Sequence, residues 1–162
     1  DNIEKLHRLL RGMAKWDREV LVEDEFAILD AYLGIQSSRF EQRLSYELKL
    51  DDSLKKQYIL AFILQPLVEN AIIHGIEPSG QNCHLNLSVF RLSSSRIMIT
   101  IEDDGIGFDQ EMATRHMGLS NVSKRLTLID SRNCMEIESS PGEGTIITLE
   151  IQTEERHEIS DC

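Results

Sequence analysis

Residues 97–108 read Ile97-Met98-Ile99-Thr100-Ile101-Glu102-Asp103-Asp104-Gly105-Ile106-Gly107-Phe108. The regular return of isoleucine at every second position is typical of a β-strand, whose successive side chains point to opposite faces of the sheet. This parity places Asp103 on the same inward face as the three isoleucines. A carboxylate among apolar side chains costs free energy unless a hydrogen-bond donor reaches it. The strand therefore predicts a buried acid that needs a partner.

Two glycines follow this acid in the pattern Asp103-x-Gly105-x-Gly107. Glycine lets the backbone turn sharply and approach a ligand closely. A purine amino group is a suitable donor for the carboxylate, and a charge-assisted hydrogen bond contributes about 1.5–3 kcal/mol. Taken alone, the pattern indicates either a purine site or a plain Asp-Gly turn at a strand end. A calcium loop is disfavoured because the spaced acidic ligands of an EF-hand are absent.

A second informative stretch reads Leu64-Gln65-Pro66-Leu67-Val68-Glu69-Asn70-Ala71-Ile72-Ile73-His74-Gly75. Its apolar spacing predicts a helix over about 60–75, with Pro66 in the first turn, where the missing N–H costs least. Glu69, Asn70 and His74 fall opposite the apolar face. An amide oxygen is a hard ligand for Mg²⁺, and a carboxylate can accept a proton from a nucleophile. The helix predicts a metal–phosphate site, or else a surface helix that shows three polar residues.

The third stretch is Gly118-Leu119-Ser120-Asn121-Val122-Ser123-Lys124-Arg125-Leu126, which opens a helix after a loop. Backbone N–H groups at a helix start are unpaired, and the helix dipole favours an anion there. Lys124 or Arg125 could supply a positive charge for a triphosphate. The alternative for this segment taken alone is an ordinary capped helix.

The remaining elements extend outward from these three stretches. Helices are predicted over 1–22 and 23–40, and another from Leu119 to Ile129. Alternating patterns predict strands over 44–50, 85–89, 97–101, 134–139 and 145–151, with a hairpin at Ser93-Ser94-Ser95 and a break at Pro78-Ser79-Gly80. Residues 104–118 form a loop, and the polar tail begins at Gln152. This order predicts an α+β fold, a mixed and mostly antiparallel sheet with helices on one face.

Composition narrows the classes of function. The 162 residues carry a formal net charge of −11, and 41% of them are hydrophobic, as in an ordinary globular domain. The acidic excess disfavours nucleic acid or an anionic membrane as partner. No apolar run approaches the roughly 20 residues of a membrane span. The three cysteines lack the spacing of a zinc knuckle or a disulfide framework.

In combination, the three stretches resemble the ATP-binding catalytic domain of sensor histidine kinases, within the gyrase/Hsp90/histidine-kinase/MutL ATPase superfamily. Glu69-Asn70 matches the N box of that family, Asp103-x-Gly105-x-Gly107 the G1 box, Gly118-Leu119-x-Asn121 the latter part of the G2 box, and Gly142-Glu143-Gly144-Thr145 the last motif. The stretch 64–75, together with Ala31-Tyr32-Leu33-Gly34-Ile35-Gln36-x-x-Arg39-Phe40, looks like the YesM/LytS-like kinases. The resemblance covers about residues 20–151.

The resemblance implies a two-layer α/β sandwich that holds ATP between its helices and a short lid at about Asp109–Met117. It also implies that Asn70 coordinates Mg²⁺, that Glu69 is the catalytic carboxylate, and that Asp103 binds the adenine amino group. The full set of residues implied to bind the nucleotide is Asn70, His74, Asp103, Gly105, Gly107, Gly118, Leu119, Asn121, Arg125 and Thr145. Domain limits follow: a helical remnant of a dimerisation region over 1–22, the catalytic domain over 23–151 and a tail over 152–162.

The implied activity is protein histidine kinase activity, with ATP and Mg²⁺ as cofactors. The γ-phosphate would pass to a histidine outside these residues and then to a response-regulator receiver domain, so the chain alone would be inactive without the dimerisation helix. His7 lacks the sequence context of that acceptor. The parent would be a homodimeric, membrane-anchored bacterial sensor with this domain in the cytoplasm, and the domain itself would contact neither membrane nor nucleic acid.

Two departures from the family pattern keep other functions open. His116 stands at the first glycine position of the G2 box, and Ile73 stands where relatives often carry lysine, which removes a possible phosphate cation. Both changes favour a second hypothesis, a nucleotide-binding or protein-interaction module that has lost catalysis. A third hypothesis is a stand-alone ATPase or a serine kinase of the anti-sigma type, which shares the N and G1 boxes.

Overall fold

The computed structural model describes residues 18–109, 111 and 117–153. In chain order the elements are β1 (Glu19–Leu21), α1 (Val22–Arg39), β2 (Leu44–Leu50), β3 (Tyr58–Leu60), α2 (Gln65–Asn70), α3 (Glu77–Ser79), β4 (Cys83–Ser93), β5 (Arg96–Asp103), α4 (Met117–Ile129), β6 (Cys134–Ser140) and β7 (Gly144–Gln152). A 3₁₀ helix (Asp52–Leu54) precedes β3, and a π-helical turn (Ala71–Ile76) joins α2 to α3.

Five strands form the main sheet in the order β2-β4-β5-β7-β6. The β2–β4 pair is parallel, and the other three pairs are antiparallel. Asp103 lies at the end of the central strand β5, opposite Leu85 on β4 and Thr145 on β7. The architecture confirms the predicted α+β fold with a mixed, mostly antiparallel sheet.

The core lies between one face of this sheet and the helices. Ile97, Ile99 and Ile101 of β5 are at most 1% exposed, as the alternation of the strand predicts. They belong to one apolar cluster with helical residues such as Leu29 and Leu67. Each buried aliphatic side chain stabilises the fold by roughly 1.5–3 kcal/mol. Because the helices cover this face, the inward acid at the end of β5 lies at the edge of the core.

A second, two-stranded sheet was not predicted from the sequence. β1 pairs antiparallel with β3, with Val20 opposite Ile59. The helix predicted over 1–22 is therefore wrong at residues 19–21, and its first 17 residues lie outside the described part of the chain. Strands of three residues are too short to show alternation, so pairing between distant segments decides their conformation. The helix that follows begins at Val22 and agrees with the predicted 23–40.

The helix predicted over 60–75 starts later and continues further. Leu60 ends β3, and α2 starts at Gln65, with Pro66 in the first turn as predicted. The expected break is also displaced, because Pro78 occupies an initial position of α3 and Gly80, at φ 66°, ends the helix. We refer to residues 65–79, which pass through α, π and α geometry, as the composite helix. None of the helices described has the length and apolarity of a membrane span.

Candidate functional site

The inward carboxylate predicted at the end of β5 is observed. Asp103 is only 4% exposed, and the backbone N–H of Gly105 donates to its Oδ1 atom at 3.0 Å. Within the described residues this is the one hydrogen bond that the carboxylate accepts. An ionised carboxylate has about four acceptor sites. The buried acid therefore has acceptor capacity for a donor from a ligand.

Burial changes the acidity of this group. The pKa of Asp103 is raised to about 6 by removal from water, and the neighbouring acids Asp104 and Glu102 raise it further. The N–H of Gly105 acts in the opposite direction because it stabilises the ionised form. A second donor would lower the pKa again. Binding of a hydrogen-bond donor and loss of the proton from the Asp103 carboxyl group therefore favour each other.

Glycine is required where the composite helix meets this acid. A Cβ atom on Gly75 would lie 2.6 Å from Asp103 Oδ1, and one on Gly105 would lie 2.3 Å from the carbonyl carbon of Gly75. The N–H of Ile106 donates to the Gly75 carbonyl at 3.0 Å. Gly75 ended the helical stretch in the sequence but was not predicted as a site residue. Backbone contact between the helix and the loop fixes the floor of the site.

The other side of the same loop packs against the β6–β7 turn. Gly107 adopts φ 60°, and a Cβ there would lie 2.1 Å from the Ser140 carbonyl oxygen. Gly144 adopts φ 81°, and its Cβ would lie 2.0 Å from the Asp103 carbonyl oxygen. The glycines of the Asp-x-Gly-x-Gly pattern therefore allow a close backbone contact between this loop and the β6–β7 turn. A plain Asp-Gly turn makes no such contact necessary.

A hydroxyl pair closes the site beside Asp103. Thr145 is 4% exposed, and its Oγ1 atom lies 2.9 Å from Ser139 Oγ. Ser139 Oγ also accepts the N–H of Phe108 at 2.9 Å, on the loop that holds the two glycines. Ser139 was not predicted as a site residue, although its inward position on β6 after Ile137 gave a signal. Thr145 stays a predicted contact of the nucleotide.

The composite helix carries the predicted metal-binding and catalytic residues. Asn70 is buried, and its side-chain amide has no hydrogen-bond partner among the residues described. Glu69 is half-buried and accepts a hydrogen bond from the Gln65 amide at 3.4 Å, while His74 is exposed. Gly75, at the floor, follows Asn70 by five positions, through the π-helical turn. The composite helix therefore links Asn70 to the floor beside Asp103.

The start of α4 is the third part. Gly118 and Asn121 are exposed, whereas Leu119 is 1% exposed and packs in the core, so only its backbone could contact a ligand. Arg125 donates to the carbonyl oxygens of Ala61 at 2.8 Å and Phe62 at 3.3 Å. These contacts direct its guanidinium to the turn before α2. Most of the predicted lid at 109–117, including His116, lies outside the described residues.

Together these residues fit a purine nucleotide with a divalent cation. The buried carboxylate has acceptor capacity for an exocyclic amino group. The buried amide of Asn70 provides an uncommitted oxygen of the type that Mg²⁺ accepts. The start of α4 offers backbone N–H groups for phosphates. No group of three metal-ligating side chains occurs in the described ranges.

Comparison with known proteins agrees with this geometry. Residues 56–155 match the family described as histidine kinase-, DNA gyrase B-, and HSP90-like ATPase. Sensor histidine kinase YesM of Bacillus subtilis is 32% identical over 155 residues, which is 92% of this chain and 27% of that protein. Sensor protein LytS of Bacillus anthracis is 27% identical over 93% of this chain and 29% of its own length. The chain thus spans less than a third of these two relatives.

Solved structures show the same fold. The catalytic domain of histidine kinase ThkA has a TM-score of 0.64 at 14% identity, over 84% of this chain and 97% of that one. The Acinetobacter baumannii histidine kinase AdeS has a TM-score of 0.63 at 21% identity, over 94% and 77% of the two chains. From the family match and the relationship to YesM, this chain belongs to the histidine kinase-, DNA gyrase B- and HSP90-like ATPases.

Proposed function

We propose that this chain is the ATP-binding kinase domain of a sensor histidine kinase and that it binds ATP together with Mg²⁺. The observation that carries the proposal is the buried Asp103 carboxylate, which has acceptor capacity and rests against a glycine floor. Family membership supports ATP as the nucleotide. The catalytic domain would cover 23–151, with a dimerisation remnant over 1–22 and a tail over 152–162.

Each part of the site would act on a different part of the nucleotide. Asp103 would accept the adenine amino group, with Gly105, Gly107 and Thr145 shaping the pocket around it. Asn70 would hold Mg²⁺, which when bound neutralises charge on the phosphates. Backbone N–H groups near Gly118, Leu119 and Asn121 would bind phosphate oxygens.

Three further predicted residues lie on the composite helix and on α4. Glu69 would orient the attacking imidazole or accept its proton. His74, exposed on the same helix, would lie beside the phosphates. Arg125 was predicted as a phosphate cation, but its two carbonyl contacts support a structural role.

The phosphoryl group would pass to a histidine on a dimerisation helix and then to a response regulator. A structural neighbour, histidine kinase ThkA in complex with response regulator protein TrrA, supports this partner class, with a TM-score of 0.60 and 13% identity over 96% of this chain and 50% of that one. We further propose that the parent is a dimeric, membrane-anchored bacterial sensor, in keeping with relatives named sensor proteins. Neither nucleic acid nor the membrane would contact this domain.

Replacing Glu69 tests catalysis separately from binding. With the dimerisation region of the full-length protein added in trans and γ-labelled ATP, we expect acid-labile phosphate on that region. The Glu69→Gln variant should transfer phosphate about 100-fold or more slowly, because general bases contribute factors of this order. Its affinity for an ATP analogue should change by less than about threefold.

Two outcomes of this assay would contradict the kinase assignment. Acid-stable phosphate would indicate a serine kinase of the anti-sigma type. Absence of transfer by wild-type protein that binds ATP would indicate a module without catalysis, the hypothesis that Ile73 and His116 motivate.

The affinity for adenosine should depend on pH. The ionised form of Asp103 accepts a hydrogen bond from the amino group, so the bound state has a lower pKa than the unliganded value of about 6. Binding is therefore fully favoured above this pKa and lost as pH falls through it. We expect adenosine to bind about tenfold more weakly at roughly pH 5 than at pH 7.5.

An NMR titration with adenosine at the two pH values provides this measurement, and the nucleoside avoids titration of phosphate. The Asp103→Asn variant is the matched control, because its affinity should be low and independent of pH. A wild-type affinity that does not change between the two values would contradict the role of the acid.

A further inference from the structure

A second buried acid lies outside the site described above. Glu25, in the first turn of α1, is 3% exposed. Its Oε1 atom accepts the backbone N–H of Leu64 at 3.3 Å, while its Oε2 atom is buried and has no hydrogen-bond partner in the described part of the chain. Leu64 is the residue before α2, and no side chain of the helix itself caps that end. Glu25 therefore supplies from α1 the acceptor that the start of α2 lacks.

The same short turn is also held by Arg125 of α4. This guanidinium donates to the carbonyls of Ala61 and Phe62 at 2.8 and 3.3 Å. Phe62 adopts φ 58°, a left-handed conformation that is rare for a bulky residue. Such a conformation persists only where surrounding contacts determine it. The turn over 61–64 is thus contacted by an acid and a cation from two different helices, and we refer to Glu25 and Arg125 as the clamp.

The clamp joins the two helices that carry the candidate site. α2 begins at the clamped turn and includes Asn70. α4 carries Arg125 seven residues after Gly118, where phosphate would bind. The two helices also contact each other directly. A shift of the turn would therefore displace the side chain offered to Mg²⁺ relative to the N–H groups offered to phosphate.

We propose that Glu25 and Arg125 are positioning residues, which hold the 61–64 turn and thereby set the spacing between Asn70 and the phosphate-binding start of α4. The part that concerns phosphate rests on the proposed function of the chain. The adenine subsite at Asp103 is held by other contacts, through Gly75 and Gly105. Loss of the clamp therefore acts on the phosphate end of the site and spares the adenine end.

Protonation of Glu25 should make the stability of the folded protein depend on pH. Burial raises the pKa of this group to about 8, while the N–H groups of the turn and the charge of Arg125 act to lower it. The folded-state pKa lies above the unfolded value of 4.5, so the folded protein binds the extra proton. Stability should therefore fall as pH rises from about 4.5 to 8. Glutamine has no such proton, so Glu25→Gln should remove this contribution to the slope.

Calorimetry and NMR on the 162-residue chain test the proposal. We expect Glu25→Ala and Arg125→Ala to weaken binding of a non-hydrolysable Mg·ATP analogue by at least about tenfold, and adenosine binding by less than about threefold. Glu25→Gln should restore analogue binding to within about threefold, because its amide oxygen can accept the Leu64 N–H. Glu138→Ala, which removes an exposed glutamate of β6, is the matched control and should change neither affinity.

Spectra without ligand separate this proposal from the proposed function. The amide signals of Asn70 should move in Glu25→Ala and Arg125→Ala but stay in place in Glu138→Ala. If wild-type protein binds no nucleotide, the proposed function fails while these shifts still test the clamp. Unchanged Asn70 signals in folded Glu25→Ala and Arg125→Ala, or equal losses of analogue and adenosine affinity, would overturn the positioning role.

Discussion

We expect Asp103→Asn to weaken binding of a Mg·ATP analogue by at least about tenfold. The carboxylate would accept a charge-assisted hydrogen bond from the adenine amino group, worth about 1.5–3 kcal/mol. Asparagine has one acceptor oxygen and adds two N–H donors, which can face the amino group unfavourably. Calorimetric titration of the wild type and the variant under identical conditions measures the difference.

We expect the Asp103→Asn variant to fold, so that a loss of affinity reports on binding. Asp103 is buried with a raised pKa, so replacing it with a neutral amide removes the cost of a buried charge near neutral pH. Glu102→Gln, at the exposed neighbouring position, is the control and should bind like the wild type. Equal affinities of wild type and Asp103→Asn would contradict the adenine-binding role.

Gly105→Ala should destabilise the protein by roughly 3 kcal/mol or more, at the upper end of overpacking effects. The new Cβ would lie 2.3 Å from a backbone carbon of Gly75, so the loop and the composite helix would have to separate. Thermal unfolding followed by circular dichroism should show a midpoint lower by about 10 °C. Because the contact lies beside Asp103, nucleotide binding should be lost as well.

Gly118→Ala provides the matched control for this substitution. Among the described residues, no atom outside the helix's own turn lies within 4 Å of a Cβ at that position, which is helical. Alanine is favoured over glycine in a helix by up to about 1 kcal/mol, so the control should keep or slightly increase stability. If Gly105→Ala unfolded at the wild-type temperature, the described contact between loop and helix would be wrong.

The sequence predicts the position of a site residue where a pattern of neighbouring residues decides it. It does not do so where a contact with a distant residue decides it. The inward position of Asp103 follows from the two-residue period of β5, and the structure confirms it. The same rule gave the positions of the core isoleucines. By contrast, the need for glycine at Gly75 arises from Asp103, 28 residues away, and no pattern within the helix reports that contact.

Other features needed the tertiary structure for the same reason. The π-helical turn at Ala71–Ile76 continues an apolar helical pattern without a break in composition. Glu25 stands in an acidic first turn with Glu23 and Asp24, where acids are common for electrostatic reasons. Its burial is visible only when α1 packs against the turn before α2. The contacts of Arg125 with the carbonyl oxygens of Ala61 and Phe62 likewise join residues more than 60 positions apart.

A crystal structure of the chain with a non-hydrolysable Mg·ATP analogue tests the central claim most directly. We expect the exocyclic amino group of adenine within hydrogen-bond distance of the Asp103 carboxylate, and Mg²⁺ bound to the Asn70 side chain. A nucleotide bound elsewhere, with the Asp103 pocket filled by protein side chains, would contradict it.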